Sequence, residues 1–154
     1  MFLALLLVSA PADAKDLRSR IGVGFHEQFG NVTALSIRGG LPMPKPTNNL
    51  QLELDIGADL TAVTDPKFFA GGRVLYSVVA EDNMNLYLGA GAGYLVDGPS
   101  GLVRLQPVAG AEFFLFGLEN LGFSVEWGVN VDLGATWGVE TVGSSPAIAA
   151  HYYF

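Results

Sequence analysis

The chain has 154 residues, a length suited to one domain, with half of them hydrophobic, 20 glycines and no cysteine. The missing cysteines exclude disulfide scaffolds, thiolate metal sites and thiol nucleophiles, and so apolar a composition excludes a disordered chain. A formal net charge of −7 with no basic cluster disfavours nucleic acid as a partner.

The first apolar run, from Met1 to Val8, is too short for the roughly 20 residues of a spanning helix. It is followed by Ala12, Asp13 and Ala14, a small-x-small cleavage pattern. Residues 1–14 therefore read as a secretory signal peptide and 15–154 as the mature domain, although no Lys or Arg precedes the apolar run.

From Lys15 onward, apolar and polar residues alternate at period two, the pattern of strands with one apolar face. The clearest segments run from Leu50 to Leu60, where every even position is apolar, and from Leu121 to Leu133, where every odd position is. Weaker alternations lie near 20–29, 32–41, 68–80, 86–96, 102–116 and 145–154, which brings the expected strands to eight. Breaks rich in Gly, Pro, Asn and Asp separate them, among them 42–49, 64–67, 81–85, 97–101, 117–120 and 138–145. Such short connections predict antiparallel neighbours in up-and-down order.

Alternation does not say which way the apolar face points. Three features direct it outward, toward a bilayer. The strands reach the length of the 9 to 11 tilted residues that cross a membrane. Their polar face is crowded with glycines, including Gly22, Gly24, Gly57, Gly89, Gly91, Gly93, Gly110, Gly122 and Gly128, which suits a narrow interior better than a wet surface. That face also carries charges of both signs, Arg38, Arg73 and Arg104 with Glu53, Asp55, Glu112, Glu126 and Asp132, which a narrow lumen would pair. Two aromatic girdles are expected on the outer face, one with Phe25, Phe29, Phe68 and Tyr94, the other with Tyr76, Phe113, Phe123, Tyr152 and Phe154; Trp127 falls between them.

The chain ends on Ile148, Ala150, Tyr152 and Phe154 at alternate positions, and here it resembles the last strand of outer-membrane barrels. With the leader and the eight alternating segments, the mature chain as a whole looks like the small OmpA-like or opacity-like barrels. The resemblance implies an eight-stranded antiparallel transmembrane barrel in the outer membrane of a Gram-negative bacterium, its terminal strand read by the barrel-assembly machinery. The loops are shorter than those of relatives that bind host surfaces, which places an adhesive role in doubt.

Chemistry-bearing residues are few. His26 and His151 are the only histidines, and an inward parity near opposite barrel ends predicts about 20 Å or more between them, too far for one site. Adjacent His26 and Glu27 point to opposite faces. Gly89, Gly91 and Gly93 lack the strand-to-helix context of a phosphate loop. Asp65 and Glu140 are the candidate external carboxylates for a cation. No catalytic, cofactor-binding or metal site is expected.

The expected role is structural or interactive, as the membrane subunit of an envelope assembly with outer-membrane lipid around it, and neither a wide pore nor an enzyme. The alternatives are a periplasmic or secreted lipocalin-like binder of an apolar ligand and a lipid-modifying barrel enzyme. Intact-mass analysis of the exported protein should give a chain beginning at Lys15; a chain retaining residues 1–14 would remove the leader.

Overall fold

The computed structural model describes residues 15–27, 29, 32–44, 49–61, 66–134, 138–141 and 147–154. The expected signal peptide thus lies outside the described residues. All regular structure is β: β1 (Ile21–His26), β2 (Ala34–Leu41), β3 (Leu50–Asp59), β4 (Lys67–Glu81), β5 (Met84–Asp97), β6 (Ser100–Leu115), β7 (Leu118–Leu133), β8 (Gly138–Thr141) and β9 (Ala147–Tyr153). Each strand from β1 to β7 pairs antiparallel with the next, and β9 pairs with both β7 and β1, closing a barrel. Closure leaves no open edge there that could recruit another chain.

The wall has eight strand positions built from nine segments. β8 and β9 share the last position: β8 pairs with the later half of β7 and β9 with the earlier half. Sequence reading places Gly138 to Thr141 in a turn, whereas they form β8; so short a segment, rich in Gly and flanked by turn residues, shows too little alternation to be recognised.

The stagger of the wall can be walked residue by residue. From Leu121 on β7 the paired residues run through Tyr152, Val23, Ile37, Leu54, Gly72, Ala92 and Leu105 and return to β7 at Val131, ten residues further along. For eight strands, this stagger sets a tilt of about 40° and a radius of about 8 Å.

Two-residue turns at Asp82–Asn83, Gly98–Pro99 and Phe116–Gly117 join the longest strands. Gly117 takes φ 80° and Gly98 φ 56°, which such tight connections require. Three irregularities mark the wall, one of them a register shift between Phe114 and Leu115 beside the β6–β7 turn. A bulge between Ser77 and Val79 turns both Val78 and Val79 outward. In β6, Pro107 has no N–H to give, and the pairing with β7 skips from Leu105 to Val108. On the inner face, Gln106 Nε2 donates to Asn130 Oδ1 at 2.7 Å across the same gap.

The two faces differ sharply. Leu54 is 64% exposed and Ile56 70%, while their neighbours Glu53 and Asp55 are fully buried. Phe25, Phe68, Tyr76, Tyr94, Phe113, Tyr152 and Phe154 also point outward, as does Trp127 midway along β7. Phe29 departs from the expected girdle. It is buried inside the mouth opposite the termini, where its ring meets Phe69 edge-on at 4.8 Å and packs with Val32 and Leu95. β1 ends at His26, so the period-two parity assumed through residue 29 no longer applies.

An apolar stopper also fills the terminal mouth. Leu17 is buried there with Phe114 and Tyr153. Asn49 clamps the backbone on both sides of it, its Nδ2 donating to Lys15 O at 2.8 Å and its Oδ1 accepting from Leu17 N at 3.2 Å. Arg18 donates to Asp16 at 2.6 Å, and that bond holds the Asp16 carboxyl below its usual range.

Inward glycines seat the aromatic rings. A Cβ on Gly93 would lie 2.6 Å from Cζ of Phe69, and one on Gly110 would lie 2.6 Å from Cζ of Tyr87. Gly93→Val should therefore lower unfolding stability by about 1–3 kcal/mol. The outward Ala92→Val should stay within about 0.5 kcal/mol. Urea titration of the two variants measures the difference, and equal midpoints would remove the packing argument.

Candidate functional site

Between the two apolar stoppers lies a buried polar layer to which all eight strand positions contribute. β1 supplies His26, β2 Ser36 and Arg38, β3 Glu53 and Asp55, and β4 Arg73. β5 supplies Tyr87, β6 Gln106 and Glu112, β7 Ser124 and Glu126, and β9 His151 and Tyr153. Each arrives by the same rule: in a strand of period two, every polar residue in phase with the inward glycines shares the lumen.

The centre is a guanidinium–carboxylate cluster. Arg38 donates through Nε to Glu53, through Nη2 to Glu126 Oε1 at 3.0 Å, and through Nη1 to Ser124 Oγ at 3.2 Å and Glu112 Oε1 at 3.3 Å. Arg73 donates through Nε to Glu53 Oε1 at 2.9 Å and through Nη1 to Glu126 Oε2 at 2.7 Å. Tyr87 donates its hydroxyl to Glu126, and Tyr153 donates to Glu112 Oε1 at 2.7 Å. Two carboxylates are thus shared by two guanidinium groups, with tyrosine hydroxyls completing the shell.

Arg104 and Asp132 form a separate pair nearer the mouth that Phe29 fills. Nε and Nη2 of Arg104 each reach an Asp132 oxygen at 2.7 Å, and Nη1 donates to Phe29 O at 3.2 Å. Of the eight charged residues expected to form a lumen network, seven are joined in these two groups by ion pairs. Asp55 faces the same lumen, but neither of its oxygens has a hydrogen-bond partner among the described residues.

The two histidines are much closer than expected. Gly24 pairs with His151 and Ala149 with His26, so the imidazoles are diagonal neighbours on one face, where Cα atoms lie roughly 7–8 Å apart. The separation estimated from sequence assumed strands that each traverse the whole wall; β1 is six residues long and sits with β9 in its terminal half. His26 Nε2 lies 2.9 Å from Glu126 Oε2, and His151 Nε2 lies 2.9 Å from Ser36 Oγ.

Of the proposed assembly residues, Ile148, Tyr152 and Phe154 point outward, and Ala150 is half-buried in the same phase. Asp65 and the side chain of Glu140 lie outside the described residues, so the external carboxylate pair does too. Sequence reasoning missed Tyr87, Tyr153 and Gln106 as partners in the cluster. Their parity matched that of the inward glycines, and this was the signal available.

Comparison with protein-family models, curated proteins and solved structures gives no match. The lumen's own chemistry is that of a polar core closed at both ends, in which hydrogen-bonded ions take the place of apolar packing.

Arg73→Met leaves Glu53 and Glu126 short of a buried counter-charge and should lower stability by about 3 kcal/mol or more. Adding Glu53→Gln should recover part of that loss. Equilibrium unfolding of the single and double variants tests the coupling; additive losses would show that the cluster does not act as a unit.

Proposed function

We propose that this chain is an integral outer-membrane β-barrel of a Gram-negative envelope, of the small OmpA-like type, with a structural or interaction role as the membrane subunit of an envelope assembly. The observation that carries the reading is the inversion of the two faces. Leucine, isoleucine, valine and aromatic side chains cover the outside of the wall, whereas arginine, glutamate and histidine fill the inside. In water that arrangement would leave a large continuous apolar surface exposed, far beyond what soluble monomers carry. In a bilayer it matches the solvent, and a closed ladder keeps the backbone's polar groups paired.

Dimensions support the same reading. β4, with 15 residues tilted at about 40°, rises roughly 35–40 Å, enough to carry an apolar band of about 25 Å. No helix among the described residues is long and apolar enough to cross a membrane, and a barrel crosses with strands instead. The terminal residues Ile148, Ala150, Tyr152 and Phe154 are then the signal for the barrel-assembly machinery, and outer-membrane lipid is the first partner. A lipocalin-like binder would line its cavity with apolar side chains, whereas here the middle of the lumen is occupied by ions. Stoppers at both mouths favour a scaffold over a pore, and the carboxylates in the middle layer lie buried away from any external rim where a lipid substrate would dock.

Urea-washed outer membranes from cells expressing the full chain should contain it. Unboiled samples should migrate differently from boiled ones on a denaturing gel, as a closed barrel does. Leu54→Arg places a cation on the lipid face and should cost about 2–4 kcal/mol if it sits near the midplane, reducing the heat-sensitive form. Recovery in the soluble periplasmic fraction with no mobility shift would overturn the membrane reading.

A further inference from the structure

Among the described residues, the lumen is short of positive charge. Three guanidinium groups, Arg38, Arg73 and Arg104, face five carboxyl groups, Glu53, Asp55, Glu112, Glu126 and Asp132. Arg104 and Asp132 satisfy one another, which leaves two guanidinium groups against four carboxyls in the middle layer. Uncompensated charge in such a setting is strongly destabilising. Two more positive charges are needed, as protons or as a cation.

The structure concentrates that need at one point. His26, Glu53 and Asp55, all buried, each offer one ligand atom, and these atoms lie within 4.8 Å of one another. Asp55 is fully buried, and neither of its oxygens has a hydrogen-bond partner by geometry among the described residues, although Ser36 and Glu53 stand close enough to act on its carboxyl. His26, only 1% exposed, spends Nε2 on Glu126 and leaves Nδ1 without a partner. An imidazole held by a carboxylate through one nitrogen and open at the other is the usual arrangement of a metal-bound histidine. Small residues surround it: Ala34 and Ala149 are its cross-strand partners, and Gly57 faces Ala34.

We propose that His26, Asp55 and Glu53 bind one divalent first-row transition-metal ion inside the barrel, with His26 ligating through Nδ1. One imidazole nitrogen with carboxylate oxygens suits Zn²⁺ or Mn²⁺ better than the all-oxygen shells of Ca²⁺ and Mg²⁺. A divalent ion supplies the two missing charges at once. Glu53 is then a bridging carboxylate, held in place by Arg38 and Arg73, while Glu126 orients the histidine. Phe29 and Phe69 close the mouth on that side, so the ion enters as the barrel folds. The site does not depend on the membrane reading, because these residues face the lumen whatever solvent surrounds the wall.

The test is to unfold the full chain in urea and refold it in detergent with Zn²⁺ or with EDTA. Metal retained after gel filtration and the midpoint of thermal unfolding are then measured. About one Zn²⁺ per chain is expected, with a higher midpoint than the EDTA sample, and Co²⁺ in its place should give a visible d–d spectrum. Asp55→Asn should lose the metal and the spectrum, whereas Glu81→Gln, which removes an exposed carboxyl at the end of β4 outside the lumen, should keep both. A folded chain that retains no Zn²⁺, or that binds it equally well as Asp55→Asn, overturns the site and assigns the missing charges to protons. The heat-dependent gel shift on the same samples reports the barrel itself, so loss of metal with the shift intact removes the site and leaves the membrane reading standing.

Discussion

Arg38 and Arg73, sharing Glu53 and Glu126, hold the middle of this molecule together, and much of the rest can be understood as serving that contact. Inside a wall of about 8 Å backbone radius, the inward side chains leave no room for bulk water, and the space is too polar to be filled by hydrocarbon. Ions therefore have to satisfy ions. Glycines on the same face make room for the tyrosine rings that complete the shell, as Gly110 does for Tyr87. Leu17 and Phe29 shut the two ends, which keeps water from weakening the pairs. The cluster draws on every position of the wall, so no hairpin completes it alone. Partial barrels are left with unpaired charges, which favours a cooperative transition.

The apolar exterior answers a different demand. A soluble barrel of this size hides its hydrophobic residues inside and presents charge to water. Here the assignment is reversed along each strand, and Leu52, Leu54 and Ile56 are exposed while Gln51, Glu53 and Asp55 are buried. The driving force for closing such a wall is the pairing of backbone groups and the satisfaction of lumen charges, with lipid as the surrounding solvent in our reading.

Much of this was legible in the sequence because a period of two assigns each residue to a face without any knowledge of its neighbours. The alternation from Leu50 to Leu60 separates inner from outer residues correctly, and the same parity collects the charged residues of the lumen. What parity does not carry is height. Which charges meet depends on the stagger between strands, and that is a property of closure. For this reason His26 and His151 appeared distant although β1 and β9 place them side by side. Phe29 was assigned to the outer girdle and Leu17 was not singled out, because both sit beyond strand ends, where alternation no longer applies. β8 was hidden by its length of four residues.

Pro107 interrupts the backbone ladder between β6 and β7. Where the backbone pairs of β6 and β7 are interrupted, the two strands are joined by the amides of Gln106 and Asn130. Elsewhere side-chain pairs such as Arg38–Glu53 between β2 and β3 add to a backbone ladder that any residue but proline can supply. At this one level side chains take the place of the backbone pairs. The barrel therefore has a mechanical weak line whose strength can be tuned by single residues. Changing Gln106 or Asn130 would alter the hold of β6 on β7 at this level without touching a backbone bond.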